Sequence, residues 1–437
     1  MVVTHGLILL LMIPQFFSSR VVEIGGNDEN IDNALIKTAE TRSPTCNGDD
    51  SLILSNLNYT EIPIDLIRNG TIRQINLEGN KIRDISADKF NGVPNLECLN
   101  LASNEITLSQ VLSLKNMSAR TLVLDDLSVP IKDKLGNEGG YFPNVENLSL
   151  NKINRFAVTT SFKDMFPRLD RLFLMQIPNI QAAFDFVTEY LPGTLRHLHL
   201  QNSGLDSLNL YSVGNLQSLY LDGNNLRDGF RIAGDANNLQ VVSLRRCGFT
   251  ANYIKVFFPY SRHALTFLDL SENLMDYLPI NMLERAINLE TLGLSKNEFT
   301  QIPDLKRQSR LRILLLSYNN ISLPSQMADL LPTSLRILSL RGNNITSIGE
   351  KTFEKLTELE ELDLSENKLA LLPPTWTHDL KNLKRLLLNS NMFKHFADIS
   401  LTPALSNLQN VYVARNTMTE ISEREWSTIP ENTTVHM

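Results

Sequence analysis

The sequence predicts one curved solenoid, an α/β horseshoe of stacked coils. A parallel concave sheet of about sixteen short strands should face an irregular or short-helical convex side. Three observations predict it. One apolar pattern recurs every 21–26 residues from Ile72 onward, far too regularly for chance. Each copy contains a two-residue alternation, the period of a short strand. At 437 residues, 42% hydrophobic and 20% charged, the chain is neither disordered nor a multi-span membrane protein, and three cysteines cannot build a disulfide scaffold.

Residues 1–20 read as a signal peptide. The apolar run Gly6–Phe17 has the length of a secretory core and is too short to span a bilayer. Cleavage is expected roughly between Ser18 and Val22. Residues 21–45 carry no repeat and few large apolar groups, so a flexible N-terminal tail is expected. Residues 46–71 read as an N-terminal cap, with Leu52 and Leu54 on a zeroth strand.

Repeats occupy 72–437. Clear copies include Ile72/Ile75/Leu77/Asn80, Leu216/Leu219/Leu221/Asn224 and Leu359/Leu362/Leu364/Asn367, and weaker ones begin at Ala119, Val145, Leu169, Leu195 and Leu239. The alternating leucines point inward and stack on the coils above and below, since one coil cannot bury its apolar side alone. The Asn sits where the chain leaves the strand, and its amide can both donate to and accept from turn backbone. This is the leucine-rich repeat. Cys247 and Ser203 substitute in the Asn slot, while Leu127, Ile153 and Ile177 leave three consecutive slots apolar. Residues of about 119–195 are therefore expected to form an irregular sub-region. Val435–Met437 fall on the spacing of a further strand. That edge is expected to be covered by a homotypic or heterotypic contact, or by a following cap.

The copies LDLSENLMDYLP (268–279), LRILSLRGNNITSIGEKTF (335–353) and LEELDLSENKLALLPPTW (359–376) resemble the extracellular leucine-rich repeat superfamily of animals. Toll-like receptor ectodomains and the secreted leucine-rich immune proteins of insects are similar, as are insect adhesion proteins. The resemblance covers residues 46–437 and implies a protein-binding module, often in defence or cell recognition. The chain departs from the receptors in having no membrane span and no cysteine-bearing C-terminal cap. It departs from the immune proteins in having no heptad segment after the repeats.

Chemistry is sparse. No nucleophile elbow, phosphate-binding loop or zinc-type Cys/His cluster occurs, so the chain is read as non-enzymatic with no cofactor. His197 and His199 share the concave face of one strand, with Asp222 as a third group near them, but metal ligation is the weaker reading. The net charge of −7 argues against nucleic acid. The concave column brings Phe173, His199 and Tyr220 onto consecutive strands, flanked by Arg171, Met175, His197 and Asp222. Exposed aromatics beside an Arg suit a binding hot spot. A second apolar group, Ile313, Leu315 and Ile337, reads as tight strand packing. Seven sequons are glycosylation candidates, at Asn58, Asn69, Asn116, Asn147, Asn320, Asn344 and Asn432. Cys247 should be a buried thiol. Cys46 and Cys98 leave three states open: bridged to each other, bonded to another chain, or reduced. A bridge between them must cross about two strand spacings, beyond disulfide reach unless the cap folds over.

The expectation is a secreted, extracellular recognition protein. It would bind a protein or microbial-surface ligand through the concave face in innate immunity, without membrane insertion. The alternative is a cell-adhesion or developmental ligand-binding role. Homo- or hetero-oligomers through the C-terminal edge or a reactive Cys belong to the same expectation.

Overall fold

The computed structural model describes residues 21–23 and 43–437, apart from 63–69, 108–109, 112–113, 115–116, 128–139, 154–161, 179, 181–190, 211–213, 233–235, 255–262, 280–281, 323–326 and 419–420. The signal-peptide expectation and the sequons Asn69 and Asn116 lie outside the described residues. Two compact units appear, one formed by Thr41–Phe249 and Tyr253–Leu265, the other by Thr266–Met437 with Thr250–Asn252 and the N-terminal strand β1 (Val21–Glu23).

In the N-terminal unit the concave strands are β2 (Ser51–Ile53), β3 (Gln74–Asn76), β4 (Cys98–Asn100), β5 (Thr121–Val123), β6 (Asn147–Ser149), β7 (Arg171–Phe173) and β8 (His197–His199). β10 (Ser218–Tyr220) and β12 (Val241–Ser243) continue this sheet, while β9 (Ser207–Leu210) and β11 (Gly229–Ile232) each follow a concave strand outside it. Every neighbouring concave pair is parallel and in register, so the inward residues Leu52, Ile75, Leu99, Leu122, Leu148, Leu172, Leu198, Leu219 and Val242 form one column. Those from Ile75 onward are almost fully buried. β9 and β11 pair in a second, two-stranded parallel sheet that the repeat pattern does not announce. Strands β5–β8 keep their register through the region expected to be irregular.

The C-terminal unit stacks β13 (Phe267–Asp269), β14 (Thr291–Gly293), β15 (Ile313–Leu315), β16 (Ile337–Ser339), β17 (Glu361–Asp363), β18 (Arg385–Leu387), β19 (Asn410–Tyr412) and β20 (Thr434–His436). Convex-side aromatics fill the coils behind the leucines: Phe353 and Trp376 meet edge-to-face at 5.9 Å, and the Trp376 indole N–H donates to Ile399 O at 2.8 Å. The tail is not wholly flexible, because β1 pairs in parallel with β20, Val21 opposite Thr434 and Glu23 opposite His436. The edge expected to need a partner or a following cap is thus covered within the same unit by a strand from the start of the chain.

The Asn slot works as expected. Asn367 Nδ2 donates to Leu340 O and Leu364 O at 3.0 Å each, and its Oδ1 accepts from Ile345 N at 3.1 Å. Asn80, Asn104, Asn224, Asn297 and Asn343 make the same set. One regularity of the backbone has no residue signature. The position immediately before the slot has positive φ in copy after copy, as at Lys152 (58°), Glu272 (60°), Lys296 (55°), Glu366 (52°) and Ser390 (56°), and glycine meets that demand only at Gly79, Gly223 and Gly342. A left-handed non-glycine residue costs about 1–2 kcal/mol, and the amide bonds on either side of it hold the turn against that cost.

Candidate functional site

The site grows from strand alternation: in β7, β8 and β10 the leucine points into the core and its neighbours point to the concave floor. Phe173, His199 and Tyr220 stack there as three nearly parallel rings, with centroids 4.2 Å apart between Phe173 and His199 and 4.5 Å between His199 and Tyr220. Strand spacing of about 4.8 Å is close to the ideal separation for offset rings, so the register itself builds the stack.

The rings are not the exposed aromatics the sequence suggests. Phe173, His199 and Tyr220 are 3%, 3% and 5% exposed. His199 carries a ring on each face, which removes it from water. Arg171, Met175, His197 and Asp222 are half-buried around it. His197 Nδ1 lies 3.1 Å from Ser218 Oγ, and Asp222 Oδ1 accepts from Ser243 Oγ at 2.6 Å and from Arg245 N at 2.9 Å. Asp222 is therefore tied to the next coil. Among the described residues no group of three His, Cys, Asp or Glu side chains is placed to hold a metal ion.

The floor of this coil is electrostatically unusual. Burial, then His197 and Arg171, bring the His199 pKa down from 6.5 to about 3, so the ring is neutral at physiological pH. Its Nδ1 is buried with no hydrogen-bond partner, and so is Oε1 of Gln201, the strand-exit residue of the same coil. Two unsatisfied buried polar atoms in one coil are costly, about 1–3 kcal/mol each. The sequence patch omits Gln201; its place two residues after His199 is the signal that could have found it.

Cys46 and Cys98 are bridged, with Cα atoms 5.5 Å apart. The reach that seemed too long is met because the segment before β2 folds back over the concave face. Asn76 Nδ2 donates to Asn47 Oδ1 at 3.1 Å, and Asn151 Nδ2 to Ser43 Oγ at 2.7 Å. Cys247 fills the ladder slot as a buried thiol donating to Leu221 O at 3.3 Å, and burial pushes its pKa up. Ile313, Leu315 and Ile337 pack with Leu387 and Tyr412 as an apolar cluster.

Of the described sequons, Asn58, Asn320, Asn344 and Asn432 are exposed, and the first three directly follow the ladder slot of their copies. Asn147 is half-buried and donates to Thr121 Oγ1 at 3.1 Å. Among the described residues no helix is long and apolar enough to cross a membrane.

With this geometry in hand, the comparisons are consistent. A leucine rich repeat family model matches residues 333–393. Transforming growth factor beta activator LRRC33 of Danio rerio is 28% identical over 67% of this chain and 44% of its own length. Podocan of Mus musculus is 26% identical over 82% and 58%, and lumican of Rattus norvegicus 28% over 55% and 69%. The chain thus spans about half the length of the first two relatives. Among solved structures, a leucine-rich repeat protein of Leptospira interrogans superposes with a TM-score of 0.63 at 23% identity, covering 93% of this chain and 98% of that one. A chain of the Drosophila Toll–Spatzle complex gives 0.55 at 17%, covering 83% and 53%. Repeat, register and ladder make the chain a leucine-rich repeat protein, and it is similar to relatives from the extracellular leucine-rich repeat superfamily.

Proposed function

We propose that the chain is a secreted, non-catalytic recognition protein of innate immunity that binds a protein or microbial-surface ligand on its concave floor, centred on Phe173, His199 and Tyr220. The observation that carries the site is the pair of unsatisfied buried atoms, His199 Nδ1 and Gln201 Oε1, beside the ring stack. A floor that keeps polar groups unpaired can satisfy them with a ligand's donors and acceptors, and rings around them exclude water. A second reading, a developmental or matrix ligand-binding protein, is favoured by the relatives, one of which is named a transforming growth factor beta activator.

The test uses the secreted protein with whole bacteria and, in parallel, with immobilised transforming growth factor beta. Wild type is compared with His199→Phe, which keeps a ring in the stack, and Gln201→Ala. Binding to bacteria that falls at least tenfold in both variants supports the immune reading. Binding only to the growth factor, with the same loss, supports the second. Affinity unchanged in both variants removes the floor as the contact.

A further inference from the structure

The concave floor of the N-terminal unit already holds a stretch of polypeptide, and its seating is informative. Residues 43–48, just before β2, run across the strands rather than along them. Gly48 N–H donates to Gln74 Oε1 at 3.1 Å, Asn47 Oδ1 accepts from Asn76 of β3, Cys46 is bonded to Cys98 of β4, and Ser43 Oγ accepts from Asn151 just past β6. From β3 to β6 there are three strand spacings, about 14 Å. Asn47 to Ser43 is four residue steps, which span about 13–14 Å only when fully extended. The strap is therefore an extended segment laid crosswise, touching the floor with a side chain at i and i+4.

The floor beneath it is closed and, apart from Val123 of β5, polar. Asn76, Asn100, Ser149 and Asn151 are 5%, 4%, 0% and 4% exposed, and Asn151 Nδ2 also meets Ser149 Oγ at 2.9 Å and Asp125 Oδ2 at 3.0 Å. The amides of Asn76 and Asn151 donate to the strap, Asn100 is held by Glu78 and Ala102 N–H, and the leucines of the same strands serve the core. We infer that the floor from β3 to β6 is a recognition groove for extended polypeptide, that residues 43–48 are its resident ligand, and that it takes a partner protein's extended segment bearing a small hydroxyl or amide side chain at i and i+4. The inference rests on reading the concave side as a protein-recognition face. It adds the chemistry of what that face reads.

The experiment needs no identified partner. The full-length Cys46→Ser variant keeps Cys98 as a thiol under an untethered strap. The probe is a synthetic peptide of sequence SPTCNGDD, residues 43–50, supplied as its mixed disulfide with a small thiol. The Cys98 thiolate attacks the peptide sulfur, one S–S bond forms as another breaks, and the small thiol leaves with no net oxidation. Intact-mass measurement at equilibrium should show the native peptide captured at least tenfold more than a scrambled peptide with Cys at the same position. Adding Asn151→Ala should reduce capture severalfold, whereas Lys296→Ala in the C-terminal unit should leave it unchanged. Equal capture of native and scrambled peptides, or capture of neither, would overturn the inference. Because no partner is involved, that failure would leave the test at His199 and Gln201 standing.

Discussion

Replacing His199 by Phe should flatten the acid limb of the stability curve. In the folded chain the imidazole is held at about pKa 3 by burial, with His197 and Arg171 adding to it, against 6.5 for the ordinary residue. The folded value is the lower one, so between the two the unfolded chain binds a proton that the native chain refuses. Stability from this residue is therefore fully present above pH 6.5 and is lost as pH falls toward 3. The slope is about 1.4 kcal/mol per pH unit, hence about 2 kcal/mol between pH 7 and pH 5. For a cooperative unit of roughly 200 residues that is about 4–8 °C in melting temperature. Phe preserves contact with Phe173 and Tyr220, removes the unpartnered Nδ1 and cannot titrate. Melting followed by circular dichroism at pH 7, 6 and 5 gives the comparison, with each variant referred to its own value at pH 7. Wild type should lose roughly 4–8 °C more than the variant. Parallel curves would refute both the depressed pKa and the buried, neutral ring.

The ladder offers a sharper loss: Asn367→Ala leaves Ile345 N–H unpaired and takes one of two amide donors from each of Leu340 O and Leu364 O, and should cost about 1–3 kcal/mol in urea unfolding. Ser390→Gly should act in the opposite sense, relieving a φ of 56° and raising stability by up to about 1 kcal/mol in the same assay. Cys247 should resist alkylation by iodoacetamide in the native protein and react once denaturant is added, as read by intact mass, because its thiol is buried with a raised pKa. After secretion from an animal cell line, peptide mapping should find glycans at Asn58, Asn320 and Asn344, and none at Asn147, whose amide is held by Thr121.

The parts of the molecule that obey a local rule were readable without coordinates. Leu362 and Asn367 announce a strand and its exit because each copy solves the same packing problem with the same residues. Cys247 could be assigned to its slot on spacing alone. The site was readable only in outline. Alternation put Phe173, His199 and Tyr220 on one face, but how far three rings one strand apart cover one another is a property of the assembled floor. Cys46 and Cys98 lie 52 residues apart, and nothing near either residue says that the intervening chain turns back over the sheet. The recurrent left-handed turn escaped for a different reason: Lys, Glu, Ser and Tyr all occupy it, so the backbone demand leaves no composition to read.

The pairing of Val21–Glu23 with Thr434–His436 ties β1 to a strand 413 residues further along the chain. The ribosome delivers β1 early, yet its hydrogen-bonding partner emerges only after every coil between them. Until then β19 can fold against β18, but β20 has no finished neighbour on its outer side. Such distant closure is slow, and an open strand edge during the wait is a place for two nascent chains to join.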